Sequence, residues 1–259
     1  EVRLENGAEA FFVRTVDETE EKVLRPTILI IGGGPHSYLL KNGFNQESLL
    51  LLTLGYGLVF ANYRGSLGYG VKMLESQHGL ILNFDSDDCD KLFKLCQEKF
   101  KAEINIEELG VYGSSHGGLL ACSLIAKNPE VFKAAVFINP VTEVYAASWG
   151  SDVPDFYTNE YFGERANPKQ PPSAEEVIKM YEISPIKDLH LVKTPSLFIV
   201  GNKDSRCPPS QAIRVYQYLK NNGQKTVLKL FSEEGHCISS ARDRYDSVRC
   251  MSEWLIRYM

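Results

Sequence analysis

The sequence predicts an α/β fold, a mostly parallel central sheet with helices on both faces, and three observations carry that expectation. Short apolar runs at 27–31, 58–62, 134–138 and 196–200 have the pattern of strands buried on both faces. Segments of helical period separate them, the alternation that joins parallel strands through helical crossovers. Glycine-rich or polar clusters follow the runs, on the edge of an α/β sheet where sites form.

Residues 1–25 are charged and alternating, with a strand at 8–14 and an acidic turn at 17–22, and read as edge strands. Arg25-Pro26 leads into the buried strand 27–31, which ends in Gly32-Gly33-Gly34-Pro35-His36. A helix is expected over 46–54, then the strand 58–62, then Tyr63-Arg64-Gly65-Ser66. Asp85 is placed as the N-cap of a helix running to Lys99. The strand 110–112 and the helix 119–127 flank Gly113-Ser114-Ser115-His116-Gly117, and Asn128-Pro129 stops that helix. After 134–138, residues 140–185 depart from the pattern and read as an irregular helical insertion rich in aromatics and prolines. The strand 196–200, a helix over 210–221 and the strand 227–231 follow. A last helix carries Val248, Met251, Trp254, Leu255 and Tyr258 on one face.

At 259 residues, 44% hydrophobic and 24% charged, with no linker or internal repeat, the chain is expected to be one domain. A net charge of −5 leaves no basic footprint and argues against nucleic acid or an anionic membrane as partner. No apolar run is long enough to span a bilayer, and no signal peptide opens the chain. Six cysteines without a CxxC or a compact framework read as reduced thiols, which points to the cytoplasm. His36, His78 and His190 have no metal-ligand spacing and read as surface or loop residues, so no metal or cofactor is expected.

Gly113 and Gly117 bracket Ser115 in the Gly-x-Ser-x-Gly spacing of a nucleophile elbow. Strand and helix pass so closely at such a turn that a Cβ at either glycine would clash. Ser115 is left at a helix N-terminus, where free N–H groups favour developing negative charge, and Ser114 is the bystander. A serine hydroxyl needs a base, and the base needs an acid that holds its tautomer. His236 and Asp204 each follow a strand, and the chain order Ser115, Asp204, His236 is that of the α/β-hydrolase fold. An oxyanion hole takes one amide from His116 and another from the glycine turn at 32–34. That turn lacks the G-x-G-x-x-G spacing of a nucleotide site.

Gly-Gly-Pro-His-Ser (33–37), Asn-Tyr-Arg-Gly-Ser-x-Gly-Tyr-Gly (62–70), Gly-Ser-Ser-His-Gly-Gly (113–118), Ser-Pro-Ile (184–186), Lys-Thr-Pro (193–195) and Asp-Ser-Arg-Cys-Pro (204–208) together resemble the catalytic domain of the prolyl oligopeptidase family. Within that family the acylaminoacyl-peptidase branch is most similar. The resemblance covers residues from about 26 to the C-terminus. It implies Ser115 as nucleophile, Asp204 and His236 as its partners, and the amides of Gly34 and His116 as the oxyanion hole. It also implies Arg206 as a donor to a substrate carbonyl. The implied activity is cleavage of short N-acylated peptides to release an N-acylamino acid through an acyl-enzyme. A carboxylesterase or a dipeptidyl- or oligopeptidase with the same triad is the alternative, and a non-catalytic interaction module the remoter one.

The chain departs from the family at Gly32, where His-Gly-Gly-Pro normally begins, and in lacking any stretch that resembles the family's N-terminal β-propeller. Because it starts at Glu1 rather than Met, it is expected to be the catalytic part of a longer protein or a propeller-less relative, with room for a homo-oligomer. Trp149, Phe156, Tyr161 and Phe162 are expected to line a pocket for an apolar side chain or acyl cap. Arg64 and Asp85 are expected to form an ion pair behind the site, and the His116 imidazole to be packing or pocket wall. Cys207 and Cys237, each within three residues of the acid or the base, read as inert thiols unless exposed.

Overall fold

The computed structural model describes residues 1–16, 23–40, 43–163 and 170–259. Among them the strands form one eight-stranded sheet of order β1-β2-β4-β3-β5-β6-β7-β8. The first two strands, β1 (Val2–Arg3) and β2 (Glu9–Val13), join antiparallel at one edge, as expected of residues 1–25. The acidic turn expected at 17–22 lies outside the described residues.

The remaining strands are β3 (Arg25–Ile31), β4 (Gly57–Asn62), β5 (Ile104–Ser114), β6 (Phe132–Ile138), β7 (Ser196–Gly201) and β8 (Thr226–Phe231), mutually parallel where they pair. Period-2 alternation divides their side chains between two cores. Leu29, Ile31, Ala135, Phe137, Phe198 and Val200 face the first, beneath α3 (Asp85–Lys99), α4 (His116–Lys127) and α8 (Pro209–Asn221). Ile28, Ile30, Ala134, Val136, Leu197 and Ile199 face the second, beneath α1 (Gln46–Thr53) and α9 (Ala241–Tyr258). The inner strands β3, β4, β6 and β7 therefore need apolar side chains on both faces, which is why their sequences are runs and not alternations. The α9 face, with Met251, Trp254 and Leu255 buried, packs as expected.

Besides the 3₁₀ helix Pro185–Leu191, two short elements among the described residues escaped the sequence reading, β1 and α2 (Val71–Glu75). Neither is long enough to show a period. Asp85 is the first residue of α3 and Phe84 its N-cap, and Asp85 accepts from the amide of Ser86 at 2.9 Å. The acidic first turn, Asp85, Asp87 and Asp88, still suits the helix dipole. The region 140–185 contains α5 (Val144–Gly150), α6 (Pro154–Phe162) and α7 (Ala174–Glu182), apart from 164–169, which lie outside the described residues. Among the described residues no helix is long and apolar enough to cross a membrane.

Candidate active site

The carboxyl ends of β3, β5, β7 and β8 bring four loops together. At the end of β5, Ser115 has φ +54° and ψ −122°, a strained backbone for any residue with a Cβ, and α4 starts at the next residue. The two flanking glycines are required sterically. A Cβ on Gly113 would stand 2.3 Å from the Gly117 carbonyl oxygen, and one on Gly117 only 2.2 Å from that of Ile31. The turn is thereby pressed against β3, whose glycine loop reaches over the serine. A Cβ on Gly33 would lie 3.2 Å from that of Ser115.

Ser115 Oγ is 3.1 Å from His236 Nε2, and His236 Nδ1 is 2.8 Å from Asp204 Oδ2. Asp204 is 4% exposed, and its other oxygen accepts from the amides of Arg206 and Cys207, both at 2.9 Å. Three donors thus fix the orientation of the carboxylate. Burial works against a charged His236, but the hydrogen bond that its Nδ1–H donates to Asp204, together with Cys207, outweighs it, and the imidazole pKa is pushed up to about 10.

Two polar residues that sequence reasoning missed hold the acid and base loops in register. Asn139, at φ +44° after β6, donates from Nδ2 to the carbonyls of His236 (2.8 Å) and Gly235 (3.2 Å). Its Oδ1 accepts from the amide of Gly201 at 2.8 Å, so one buried side chain ties β6, β7 and the histidine loop together. Glu234 faces the Ser240 hydroxyl and accepts from the amides of Ser239 (2.8 Å) and Ser240 (3.1 Å), which together keep its carboxyl pKa down at about 2 and close the loop around His236. The only advance signal was an asparagine at a strand end, a residue type that tolerates positive φ.

Asn139→Ala should leave two carbonyls and one amide without their partner. Each buried orphan costs about 1–3 kcal/mol, so the melting temperature is expected to fall by at least several degrees. Turnover should drop about a hundredfold through misplacement of His236. Unchanged melting and turnover would show that the loops hold their register without it.

The glycine loop departs from its expected form in one respect. A Cβ on Gly32 would meet Leu39 Cδ2 at 3.1 Å, so Leu39 fills the space beside this glycine. Ser37 also ties the loop by donating to the Gly33 carbonyl. His116 is 2% exposed, so its imidazole packs in the interior, within the expected packing or pocket wall, at the border of the cavity over Ser115. Nε2 lies 3.2 Å from Asp85 Oδ2 and Nδ1 lies 3.4 Å from Tyr161 Oη, an arrangement satisfied by the Nε2–H tautomer. Gln77 also donates to Asp85. Arg64 does not pair with Asp85. It forks onto Asp88 through Nε (2.7 Å) and Nη2 (2.8 Å), because two acids three residues apart share the inward face of α3 and the first is taken by His116.

An open cavity of about 500 Å³ lies over Ser115 and His236. Ile138, Val141, Val153 and Phe156 make it largely apolar, and Tyr157 and Tyr161 add phenols that burial keeps neutral by raising their pKa. Of the four aromatics expected there, Phe156 and Tyr161 line it. Trp149 does not: it is 58% exposed and outside the lining. Phe162 lines a separate cavity with Gly79, Ile81 and Lys179. In an irregular insertion no period says which way an aromatic points. His36, read as a surface or loop residue, sits in the loop after β3, where it lines the cavity and pairs with Glu160 at 2.9 Å. Arg206 lines it too, with Nε 2.6 Å from Asp152 Oδ1. All six cysteines are free; Cys207 is buried, and Cys237 is exposed at the cavity wall.

A model of the prolyl oligopeptidase family matches residues 42–259. The acylamino-acid-releasing enzyme of Arabidopsis thaliana is 32% identical over 98% of the chain, and that of Homo sapiens 29% identical over 91%. The chain spans about a third of the length of each, 33% and 32%. The acylaminoacyl peptidase of Pyrococcus horikoshii superposes with a TM-score of 0.85 over the whole chain, at 22% identity and 40% of its own length, which shows the α/β-hydrolase fold.

Proposed function

The chain belongs to the prolyl oligopeptidase family and is a serine hydrolase, and from that premise we propose that it is a single catalytic domain that removes N-acylated amino acids from short peptides. The observation that carries the reading is the relay Ser115 Oγ–His236 Nε2–Asp204 at the floor of an apolar cavity, with spacings of 3.1 and 2.8 Å. In this reading Ser115 attacks the carbonyl carbon while its proton passes to Nε2. The amides of Gly34 and His116 receive the negative oxygen, and Asp204 stabilises the imidazolium. Nε2–H then protonates the leaving amine, and water repeats the cycle in reverse on the acyl-enzyme.

The choice of an acylated substrate rests on charge. A free α-ammonium would need a carboxylate near the cavity, and among the described residues Asp152 and Glu160 there are already tied to Arg206 and His36. A capped N-terminus carries no charge and suits the walls of Ile138, Val153 and Phe156. The relatives' greater length supports a propeller joined to this domain in the full protein. The six free cysteines support a cytoplasmic site of action.

Side-by-side turnover of an acetylated amino-acid anilide, a free-amino dipeptide anilide and a p-nitrophenyl ester tests the reading. The acetylated anilide should lead the dipeptide anilide in kcat/KM by at least about tenfold, or roughly 1.4 kcal/mol. Preference for the dipeptide anilide would make the protein a dipeptidyl peptidase, and turnover of the ester alone a carboxylesterase.

Arg206→Ala tests the proposed carbonyl contact. Loss of a charged hydrogen bond of about 1.5–3 kcal/mol should lower kcat/KM for the acetylated anilide roughly ten- to hundredfold. Labelling of Ser115 by a small fluorophosphonate, which has no such carbonyl, should hardly change. Equal losses in both assays would make Arg206 a structural residue.

A further inference from the structure

Cys207 carries no proton in the relay, yet it stands at its centre. Its Sγ is 3.8 Å from Ser115 Oγ and 3.5 Å from Tyr157 Oη. One ligand atom each from Asp204, Cys207 and His236 lies within 4.8 Å of the other two. A thiolate and an imidazole converging on one point favour Zn²⁺ and its thiophilic relatives over Mg²⁺ or Ca²⁺. Zinc takes sulfur at about 2.3 Å and nitrogen at about 2.0–2.1 Å, so donors roughly 3.5 Å apart can share it. The outer contact that fixes a metal-bound imidazole, a carboxylate on its other nitrogen, is in place as Asp204 Oδ2 on Nδ1 at 2.8 Å. The linear sequence hides this grouping because its members come from two loops brought together only at the sheet edge.

We propose that the junction of Ser115, Cys207 and His236 is an inhibitory site for a thiophilic divalent cation of the Zn²⁺ class. His236 Nε2 and Cys207 Sγ coordinate the ion, and Ser115 Oγ and a water complete the tetrahedron. The Cys207 thiol proton leaves to solvent and no electron moves. The imidazole lone pair that would accept the serine proton is then held by the metal, so the hydrolase is silenced, and a chelator restores it. Metal enters through the open cavity, whose wall includes Ser115, His236 and the exposed Cys237. The site rests on the geometry alone, whatever substrate the enzyme prefers.

Cobalt reports the site without any assay of activity. Co²⁺ added to the intact protein should give a thiolate-to-cobalt charge-transfer band that saturates at one ion per chain and is displaced by Zn²⁺ but not by Mg²⁺. Cys207→Val should abolish the band, and Cys237→Ser should keep it. In the unmodified protein, Zn²⁺ should shift the His236 Nε2 nitrogen resonance and slow fluorophosphonate labelling of Ser115. The Zn²⁺ concentration for half-protection should rise at least about tenfold in Cys207→Val. The nitrogen resonance keeps the test decisive even if that variant fails to fold. Absence of the band and of the shift in the unmodified protein would overturn the proposal, as would a band that survives Cys207→Val or depends on Cys237.

Discussion

Ser115→Ala is expected to lower kcat for the preferred substrate by at least about 10⁴-fold, and His236→Ala by nearly as much. The double variant should be scarcely worse than either single one. Oγ and Nε2, 3.1 Å apart, act as one unit: the hydroxyl is a poor nucleophile without its base, and the base has no proton to take without the hydroxyl. What survives comes from substrate binding and the amides around the oxyanion. Because Ser115 holds a strained φ of +54°, removing its hydroxyl leaves the strain in place, and the fold should tolerate the change. Steady-state kinetics of the two single variants and the double settle it; independent, multiplying losses would mean that the two side chains act apart.

Asp204→Asn should cost about 10⁴-fold in kcat while leaving the geometry nearly intact. The amide of an asparagine can donate to Nδ1, which favours the tautomer with its proton on Nε2, the wrong nitrogen for accepting from Ser115. Asp204 also governs the pH profile. Only neutral His236 can take the serine proton, so kcat/KM should rise tenfold per pH unit until the imidazole has lost its own. The hydrogen bond that His236 donates to Asp204, with the contacts to Cys207, outweighs burial and raises the folded-state pKa above the ordinary 6.5, toward about 10, so the acid limb should be centred above pH 6.5. The same shift means that charged His236 stabilises the fold at low pH and that this contribution fades as pH rises through the folded pKa. In Asp204→Asn the residual activity should show a limb displaced to lower pH, since the hydrogen bond to the carboxylate, the largest contribution that raises the pKa, is then lost while burial still favours the neutral ring. A limb centred below 6.5 in the unmodified protein would contradict this account of the dyad.

The strands were legible because burial on both faces demands apolar runs, and Ile28 to Ile31 meet that demand without interruption. The relay was legible because each of its members follows a strand and the elbow's glycines have a steric cause visible in the spelling. The supports were not. Asn139 and Glu234 act on backbone groups, and nothing in a linear sequence says which carbonyl a side chain will find. Arg64 could be assigned an acid on α3 but not the right one, since Asp85 and Asp88 share a face and only packing against His116 separates them. Trp149 and Phe156 are equally aromatic, and only the course of α5 and α6 turns one to solvent and the other into the cavity. Cys207 could be placed on a converging loop, but its approach to Ser115 Oγ depends on the Asp204 turn, whose amides fold back onto the carboxylate.

The most direct test of the central claim is covalent labelling of the folded protein with a fluorophosphonate probe, located by peptide mass spectrometry. The relay predicts one adduct, on Ser115, formed rapidly by the unmodified protein, not by Ser115→Ala, and at least about a thousandfold more slowly by His236→Ala. An adduct on another serine, or labelling of Ser115 at an unchanged rate without His236, would contradict it.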